Sequence, residues 1–245
     1  MFCEKRDKKS CRGGGNRAEK LAFILPKDVT HVARWKSLRK VGFTLAEVLI
    51  TLGIIGIVVA LTLPVLIQNY KKQEVSVKLK KFYSTMMQAY NYAEFEQGVS
   101  ADNWEFNDFS MSNIERAEVY YNTFFNNKYF NVLSVKRGTY PSDSREALEV
   151  TFADGSILYL WAGSAMDIIY DVNGKKGPNK AGSDFFKFMH FPKRRLQPYV
   201  IEGGSVYSIN TREKALGICK RFSTECVPLL MYDNWEFKKD YPHKL

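Results

Sequence analysis

Histidine is scarce in this sequence, and the patterns that are typical of enzymes are missing. Only three histidines, His31, His190 and His243, occur among 245 residues, and they are scattered along the chain. There is no HExxH motif, no zinc-type pair of CxxC motifs, no phosphate-binding loop and no nucleophile elbow. The carboxylates show no spacing that singles out an acid and a base. We therefore predict that the chain is not an enzyme.

Acidic residues are rare in front of the first apolar segment. Residues 1–42 contain 12 lysines and arginines but only 4 acidic residues, whereas residues 43–245 contain 24 and 22. Most of the net charge of +10 therefore belongs to residues 1–42, which is the distribution of a positive-inside bias rather than of a nucleic-acid-binding surface. We interpret residues 1–42 as a basic, mostly unstructured cytoplasmic leader. Its length leaves open whether translation starts at Met1 or further downstream.

Charge is almost absent from residues 43–67. Glu47 is the only charged residue among these 25 residues, and about 20 apolar residues are enough to cross the hydrocarbon core of a bilayer. In lipid such a segment must be helical to satisfy its backbone hydrogen bonds. The sequence therefore predicts a transmembrane helix over residues 43–67, with a kink or local melting at Pro64.

The helical pattern continues beyond the apolar segment but becomes one-sided. Residues 68–98 form an amphipathic continuation in which lysines fill many of the other positions, and Gly98 is the expected C-cap. The apolar positions recur at steps of three and four, at Val75, Leu79, Phe82, Met86, Ala89, Tyr90 and Ala93. We expect one helix over residues 43–97, about 80 Å long at 1.5 Å per residue.

Residues 99–245 are predicted to form a globular domain that mixes helix and strand. A short helix over residues 113–127 would bury Ile114, Val119, Tyr120 and Phe124. From Leu148 onwards the apolar period is two, which indicates strands, and Asp154-Gly155 is a hairpin turn signal. The predicted strands cover residues 148–152, 157–161, 165–170, 185–191 and 196–201. The tail, residues 219–245, shows no period and is predicted to be irregular.

The string Lys40-Val41-Gly42-Phe43-Thr44-Leu45-Ala46-Glu47 stands directly before the apolar run. It resembles the cleavage and methylation signal of type IV pilins and type II secretion pseudopilins. The resemblance implies that a prepilin peptidase cuts after Gly42 and methylates Phe43, the new N-terminus. Glycine suits such a cut because its backbone can enter a protease cleft without a side chain in the way. The implied fold is the pilin-like α+β arrangement, a long N-terminal helix packed on a C-terminal antiparallel sheet.

The same resemblance implies a location and partners. The chain would be a single-pass protein of the bacterial inner membrane with a cytoplasmic N-terminus and a periplasmic or extracellular C-terminal domain, and it would then enter a pilus or pseudopilus. Its partners would be the prepilin peptidase/methyltransferase, other pilin or pseudopilin subunits and the inner-membrane assembly platform. The choice among a pilus, a type II secretion system and a competence system stays open, as does that between a major and a minor subunit.

Glu47 is the residue that a simple membrane anchor would not need. A charged side chain inside an apolar helix costs about 3 kcal/mol on insertion scales. In the family that the signal resembles, the glutamate at this offset pairs with the N-terminal amine of a neighbouring subunit, which here would be the amine of Phe43. Gly53 and Gly56 would let neighbouring helices approach closely. Pro64 falls where the helix of that family is often kinked or melted in the fibre.

The loop at residues 171–184 offers oxygen donors for a hard cation. Asp171, Asn173 and Asp184 are the candidate ligands, because Ca²⁺ prefers carboxylate and carbonyl oxygens, and some pseudopilins bind calcium in such a loop. The alternative is a turn whose side chains bond their own backbone. EF-hand spacing is absent, since Lys175 takes the fifth position. Apart from this candidate Ca²⁺, we expect no cofactor.

The four cysteines divide between the two ends of the chain. Cys3 and Cys11 lie in the leader and would stay reduced in the cytoplasm. Cys219 and Cys226 could close a small disulfide if the C-terminal domain is exported, and two separate thiols are the alternative. Together with Trp235, this pair loosely resembles the end of pseudopilin-like proteins.

Three functions compete for these features. We favour a structural subunit that polymerises through its apolar helix. A minor pilin or competence pseudopilin that binds DNA or a surface would use the same scaffold, and an unassembled, signal-anchored membrane protein is the third reading. Nucleic-acid binding is disfavoured because residues 43–245 are nearly neutral. Its only support is a group of basic residues, Lys175, Lys176, Lys180, Lys187, Lys193, Arg194 and Arg195.

Overall fold

The computed structural model describes residues 42–98, 100, 110–125, 129–141, 143–191, 194–200 and 209–245. The chain divides into two compact units, Met1–Ile50 and Thr51–Leu245. Apart from Gly42, the predicted leader lies outside the described residues, so its lack of structure stays a prediction.

A long helix comes first in the described chain. Helix α1 spans Leu45–Gln97, and its backbone stays helical through Pro64. Gly98 ends the helix with a φ of 66°, and its N–H donates to the carbonyl of Glu94 at 2.8 Å. Glycine adopts this left-handed conformation without a Cβ clash. The helix predicted over residues 43–97 is confirmed, with its start two residues later.

Six antiparallel strands form the sheet, and each pairs with the next along the chain. They are β1 Val132–Thr139, β2 Glu146–Phe152, β3 Ile157–Ala162, β4 Met166–Asp171, β5 Phe185–Phe191 and β6 Arg194–Pro198. Asp154 and Gly155 lie in the turn between β2 and β3, where Gly155 has a φ of 81°, as the Asp-Gly signal predicts. The five predicted strands are confirmed, although β6 begins two residues earlier and ends at Pro198.

Strand β1 is absent from the sequence prediction. It is an edge strand with a register shift between Val132 and Ser134, and most of its side chains are exposed. Leu133 is 67% exposed and Val135 is 39% exposed. An edge strand that buries neither face shows no apolar alternation, so its pattern does not reveal it.

The second half of α1 packs on the sheet through one apolar stripe. All seven residues predicted for that stripe are buried: Val75, Leu79, Phe82, Met86, Ala89, Tyr90 and Ala93. Phe82 stacks on Tyr170 of β4 with ring centroids 4.2 Å apart, and it lies 5.5 Å from the ring of Phe188 on β5. The prediction holds because a helix with three-and-four periodicity buries one face only.

A second helix, α2, spans Asn113–Phe124 and packs on the same core. It begins with a capping box in which Ser112 and Glu115 bond each other's backbone N–H groups. Its buried apolar residues are Ile114, Ala117, Tyr120 and Phe124. The prediction that Val119 is buried is wrong, since 43% of its surface is exposed. The helix faces the sheet through Ala117 instead, which lies three residues after Ile114 and three before Tyr120.

The prediction of an irregular tail is also wrong. Helix α3 spans Arg212–Arg221, a 3-10 turn covers Ser223–Glu225, and helix α4 spans Val227–Tyr232. Each helix is too short for its period to stand out in the sequence. Arg212 fixes this region by bonding Asp233 through Nε and Nη2 at 2.6 and 2.8 Å.

A buried polar chain links α1, α2 and β5. The hydroxyls of Tyr90 and Tyr120 are 2.7 Å apart, and the Tyr120 hydroxyl lies 3.0 Å from Nδ1 of His190. All three side chains are buried, and burial raises the pKa of both tyrosines. His190 therefore belongs to a buried hydrogen-bonded group that joins three elements of the fold. The described chain is an α+β fold, a long apolar N-terminal helix followed by a six-stranded antiparallel sheet.

Candidate functional site

The predicted cleavage site lies immediately in front of α1. Gly42, Phe43 and Thr44 are exposed and non-helical, and 86% of the surface of Phe43 is accessible. The helix begins at Leu45. A peptidase that acts after Gly42 would therefore meet accessible backbone, which is the usual setting of limited proteolysis.

Thr44 and Glu47 form a capping box at the start of α1. Oε2 of Glu47 accepts hydrogen bonds from the backbone N–H and the hydroxyl of Thr44, both at 2.8 Å. In return, the backbone N–H of Glu47 donates to the Thr44 hydroxyl oxygen at 3.2 Å. Two otherwise unsatisfied N–H groups of the first helical turn thereby gain partners. Both bonds to the carboxylate use Oε2, and no described residue bonds Oε1.

This capping box gives Glu47 a role within its own chain. A cap of this kind stabilises a helix by about 1 kcal/mol, and a carboxylate is favoured beside the positive end of the helix dipole. The pattern Thr-x-x-Glu is visible in the sequence, so the role of Thr44 could have been predicted from it. Pairing of Glu47 with a neighbouring subunit stays a prediction.

The first half of α1 exposes apolar side chains all the way round. Its exposed large residues are Leu45, Val48, Leu49, Ile50, Leu52, Ile54, Ile55, Ile57, Val58, Val59, Leu61, Leu63, Val65, Leu66 and Ile67. A Cβ added at Gly53 or Gly56 would meet nothing within 4 Å, so no described residue covers the helix there. Within the described residues, α1 is the one helix whose length and composition suit a membrane span, and none of its most apolar stretch is buried.

The structure brings the three candidate calcium ligands together in a turn between β4 and β5. The backbone N–H of Asn173 donates to Oδ1 of Asp171 at 3.2 Å, and the amide nitrogen of Asn173 lies 3.4 Å from Oδ1 of Asp184. Both aspartates are buried, and burial raises the pKa of Asp171 to about 6. Oδ1 of Asn173 is buried and has no hydrogen-bond partner among the described residues.

A lysine already supplies positive charge to this turn. Nζ of Lys71, on α1, lies 3.6 Å from Oδ1 of Asp184, and the backbone N–H of Lys180 donates to Oδ2 at 3.2 Å. Calcium takes six to eight oxygen ligands, whereas the three side chains present few oxygens that are not already bonded. The donor set therefore fits a hydrogen-bonded turn with a lysine counterion better than a metal site, and calcium binding stays a prediction. Lys71 is far away in the sequence, so no local pattern could reveal it.

Cys219 and Cys226 form a disulfide at the end of the chain. Their Cα atoms are 4.5 Å apart, and both side chains are fully buried. The C-terminal residues lie across this bond: Nε2 of His243 donates to the carbonyl of Cys219 at 2.9 Å, and the Ser183 hydroxyl donates to the carbonyl of Lys244 at 2.8 Å. The position of His243 could not be predicted from the sequence, because its contact with Cys219 depends on how the tail folds back.

Two of the basic residues that could favour DNA are already paired with carboxylates. Arg195 bonds Asn91 and both carboxylate oxygens of Glu94, and Lys175 lies 3.4 Å from the buried Glu149 carboxylate. Lys193 lies outside the described residues. Lys187 is half-buried, and this burial lowers the pKa of its ammonium. A surface that binds phosphates needs solvent-facing cations without carboxylate partners.

Asp167 lies near Lys187 on the sheet face opposite α1, and burial raises its pKa to about 6. The folded chain therefore binds its proton more tightly than the unfolded chain, in which the pKa is about 3.9. The stabilisation that the protonated Asp167 carboxyl contributes is fully present below about pH 4 and is lost as the pH rises through 6. We expect the free energy of unfolding of the wild type to fall between pH 4 and 7. The free energy of unfolding of the Asp167→Asn variant should fall less over the same range, as measured by denaturant unfolding at several pH values.

The matched control for this prediction is Asp240→Asn. Hydrogen bonds from Arg212 lower the pKa of Asp240, so its titration lies below the tested range. This variant should keep the wild-type slope between pH 4 and 7. Equal slopes for the wild type and Asp167→Asn would contradict the assignment.

The described residues define an α+β protein with one helix whose length and composition suit a membrane span. The part of the chain that follows the apolar segment, residues 68–245, contains the disulfide and is called the body below. Residues 65–245 match a family described as a family of unknown function, DUF6613. The chain belongs to this family, and the matched range covers the body and the end of the apolar segment but not Gly42, Phe43 or Glu47. Comparison with the curated proteins gave no match, and comparison with the solved structures gave none either.

Proposed function

We propose that the chain is the precursor of a structural subunit of a type IV pilus or a type II secretion-type pseudopilus. One observation carries the proposal. The first half of α1 exposes apolar side chains on all sides, whereas the second half of the same helix lies in the core of the body. The helix therefore connects an exposed apolar surface directly to a folded domain, because its backbone is helical throughout Leu45–Gln97.

The exposed apolar side chains in the first half of α1 must be shielded from water. A contiguous apolar surface of this size is normally covered by lipid or protein. A bilayer covers it first, since residues 43–67 have the length of a span. Neighbouring copies could then replace the lipid, because Gly53 and Gly56 present places where helices can approach closely. Polymerisation through this surface exchanges one apolar environment for another.

Processing would come before assembly. In this proposal, prepilin peptidase cuts after Gly42 at the cytoplasmic face of the inner membrane and methylates Phe43. The new amine then pairs with the Glu47 carboxylate of a neighbouring copy, which offsets the cost of burying both charges. The assembly platform draws the subunit into the fibre, and the body lies on the periplasmic or extracellular side. The pilin-like arrangement of α1 on its sheet belongs to the same proposal.

A signal-anchored protein that never assembles is the second candidate, and the capping box favours it. Glu47 bonds Thr44 within the same chain, so its presence could be explained without a neighbour. The minor-pilin reading with DNA binding has less support, because Arg195 and Lys175 are already paired with carboxylates. Removal of residues 1–42 distinguishes the two candidates, because only the pilus subunit is expected to lose them.

The mature N-terminus is the first test. We expect mass spectrometry of the chain from its native host to show that it begins at Phe43 and carries one added methyl group. The control is Gly42→Glu, which places a charged side chain at the cut and should leave the leader attached, with membrane insertion unchanged. A wild-type chain that retains residues before Phe43 in cells with active peptidase would refute the subunit proposal.

A further inference from the structure

Two sulfurs and an imidazole meet beneath the C-terminal tail. The ligand atoms of Cys219, Cys226 and His243 all lie within 4.8 Å of one another. Both cysteines are completely buried, and His243 is partly buried. None of the three belongs to the cleavage site or to the apolar surface of α1, so they form a separate cluster.

Three separate segments hold these side chains in place. Cys219 lies on α3, Cys226 precedes α4, and His243 comes from the tail. The hydroxyl of Tyr241 donates to the carbonyl of Gly182 at 2.5 Å, which anchors the tail next to His243. Nε2 of His243 donates to the carbonyl of Cys219 at 2.9 Å, so the orientation of the ring is fixed.

Gly182 keeps the space between the ligands open. Its φ is 74°, and a Cβ there would lie 2.9 Å from Cδ2 of His243 and 3.3 Å from Sγ of Cys226. It would also lie 2.7 Å from the carbonyl oxygen of Ser223. Any larger residue would push against the imidazole and the sulfur, so the cluster depends on glycine at this position.

In the disulfide state the two sulfurs are bonded to each other and cannot act as thiolate ligands. A thiol or phosphine reductant supplies two electrons and is itself oxidised, the thiol to a disulfide or the phosphine to its oxide with oxygen from water. The S–S bond breaks, and with two protons the sulfurs become two thiols. We propose that in the reduced chain Cys219, Cys226 and His243 bind a thiophilic divalent cation such as Zn²⁺. Binding releases the two thiol protons, since the thiolate is the ligand. This inference does not depend on fibre assembly.

The donor set selects the ion. Two thiolates and one imidazole suit Zn²⁺, which takes sulfur and nitrogen ligands in a tetrahedral arrangement. Three protein ligands leave the fourth position for water. The metal would then join α3, the segment before α4 and the tail, the same segments that the disulfide and the His243 hydrogen bond join in the oxidised chain. The two states exclude each other because they use the same sulfurs.

The test uses the full chain in detergent with Cys3 and Cys11 replaced by serine, since leader thiols would also bind metal. One half of the sample is kept oxidised, and the other half is reduced with a phosphine that is then removed without oxygen. Co²⁺ is added as the probe. We expect one equivalent to bind the reduced chain, with the charge-transfer absorption of a cobalt thiolate, and to be displaced by Zn²⁺. The oxidised chain should show no such absorption.

Histidine variants distinguish this site from thiol binding alone. His243→Gln should weaken Co²⁺ binding about ten-fold or more, and the matched control His31→Gln should not change it. Near-ultraviolet circular dichroism follows folding in each state. If reduction lowers that signal, recovery on adding Zn²⁺ supports the site. Equal binding by the oxidised chain, equal binding by His243→Gln, or a reduced chain that neither binds metal nor regains its signal would overturn it.

Discussion

Replacing Glu47 with valine is expected to abolish fibre assembly while leaving membrane insertion and cleavage after Gly42 intact. Valine continues the apolar run, so the span becomes easier to insert by about 3 kcal/mol on insertion scales. What the variant loses is the carboxylate that would pair with the Phe43 amine of a neighbouring copy. The measurement is the yield of sedimentable fibres at equal amounts of processed chain.

The capping box demands a control that separates charge from helix capping. Thr44→Val removes the hydroxyl that bonds Glu47 but keeps the carboxylate, and we expect it to assemble. Glu47→Gln keeps an oxygen that can accept the bond from the Thr44 N–H but removes the charge, and we expect it to fail. A cap contributes only about 1 kcal/mol, whereas an unpaired amine in the fibre costs considerably more.

The opposite pattern would support a purely local role for Glu47. If Glu47→Gln assembles as well as the wild type while Thr44→Val does not, the carboxylate acts as a helix cap. If Glu47→Val forms fibres in normal yield, pairing with the Phe43 amine is wrong. Each outcome is read against the amount of chain that begins at Phe43, because a failure of processing would also prevent assembly.

The parts of the fold that bury one face were predictable from the sequence. The second half of α1 buries the side chains that its period predicts, from Val75 to Ala93, and strands β2 to β5 follow from their alternation and from Asp154-Gly155. Burial imposes a period on the sequence, so the period reveals the element. Strand β1 is mostly exposed, and helices α3 and α4 are too short for a period to stand out, so none of the three leaves such a trace.

The candidate site was predictable only where its residues are close in sequence. Gly42, Phe43 and Glu47 lie within one string, and Thr44 completes a capping box that the pattern contains. Partners distant in sequence could not be found in this way. Lys71 reaches Asp184 across 113 positions at 3.6 Å, and the positions of such partners depend on tertiary packing rather than on local pattern.

Replacing Phe82 with alanine is expected to lower the free energy of unfolding of the body by about 3–5 kcal/mol. Phe82 is 4% exposed and stacks on Tyr170 at 4.2 Å, with Phe188 at 5.5 Å. Its ring joins α1 to β4 and β5, so removing it leaves a cavity where helix and sheet meet. A domain of this size has a total stability of about 5–15 kcal/mol, so the variant should lose a large part of it.

Phe95→Ala is the matched control, because it makes the same change in the same helix at a side chain that is 84% exposed. Exposed substitutions usually change stability by no more than about 0.5 kcal/mol. Denaturant unfolding of the full chain in detergent, followed by near-ultraviolet circular dichroism, measures both variants. Equal losses would mean that α1 does not pack on the sheet through Phe82. A loss confined to Phe82→Ala would establish that the second half of α1 is part of the folded body. This packing would keep the body attached to the helix when the apolar half of α1 moves from lipid into a fibre.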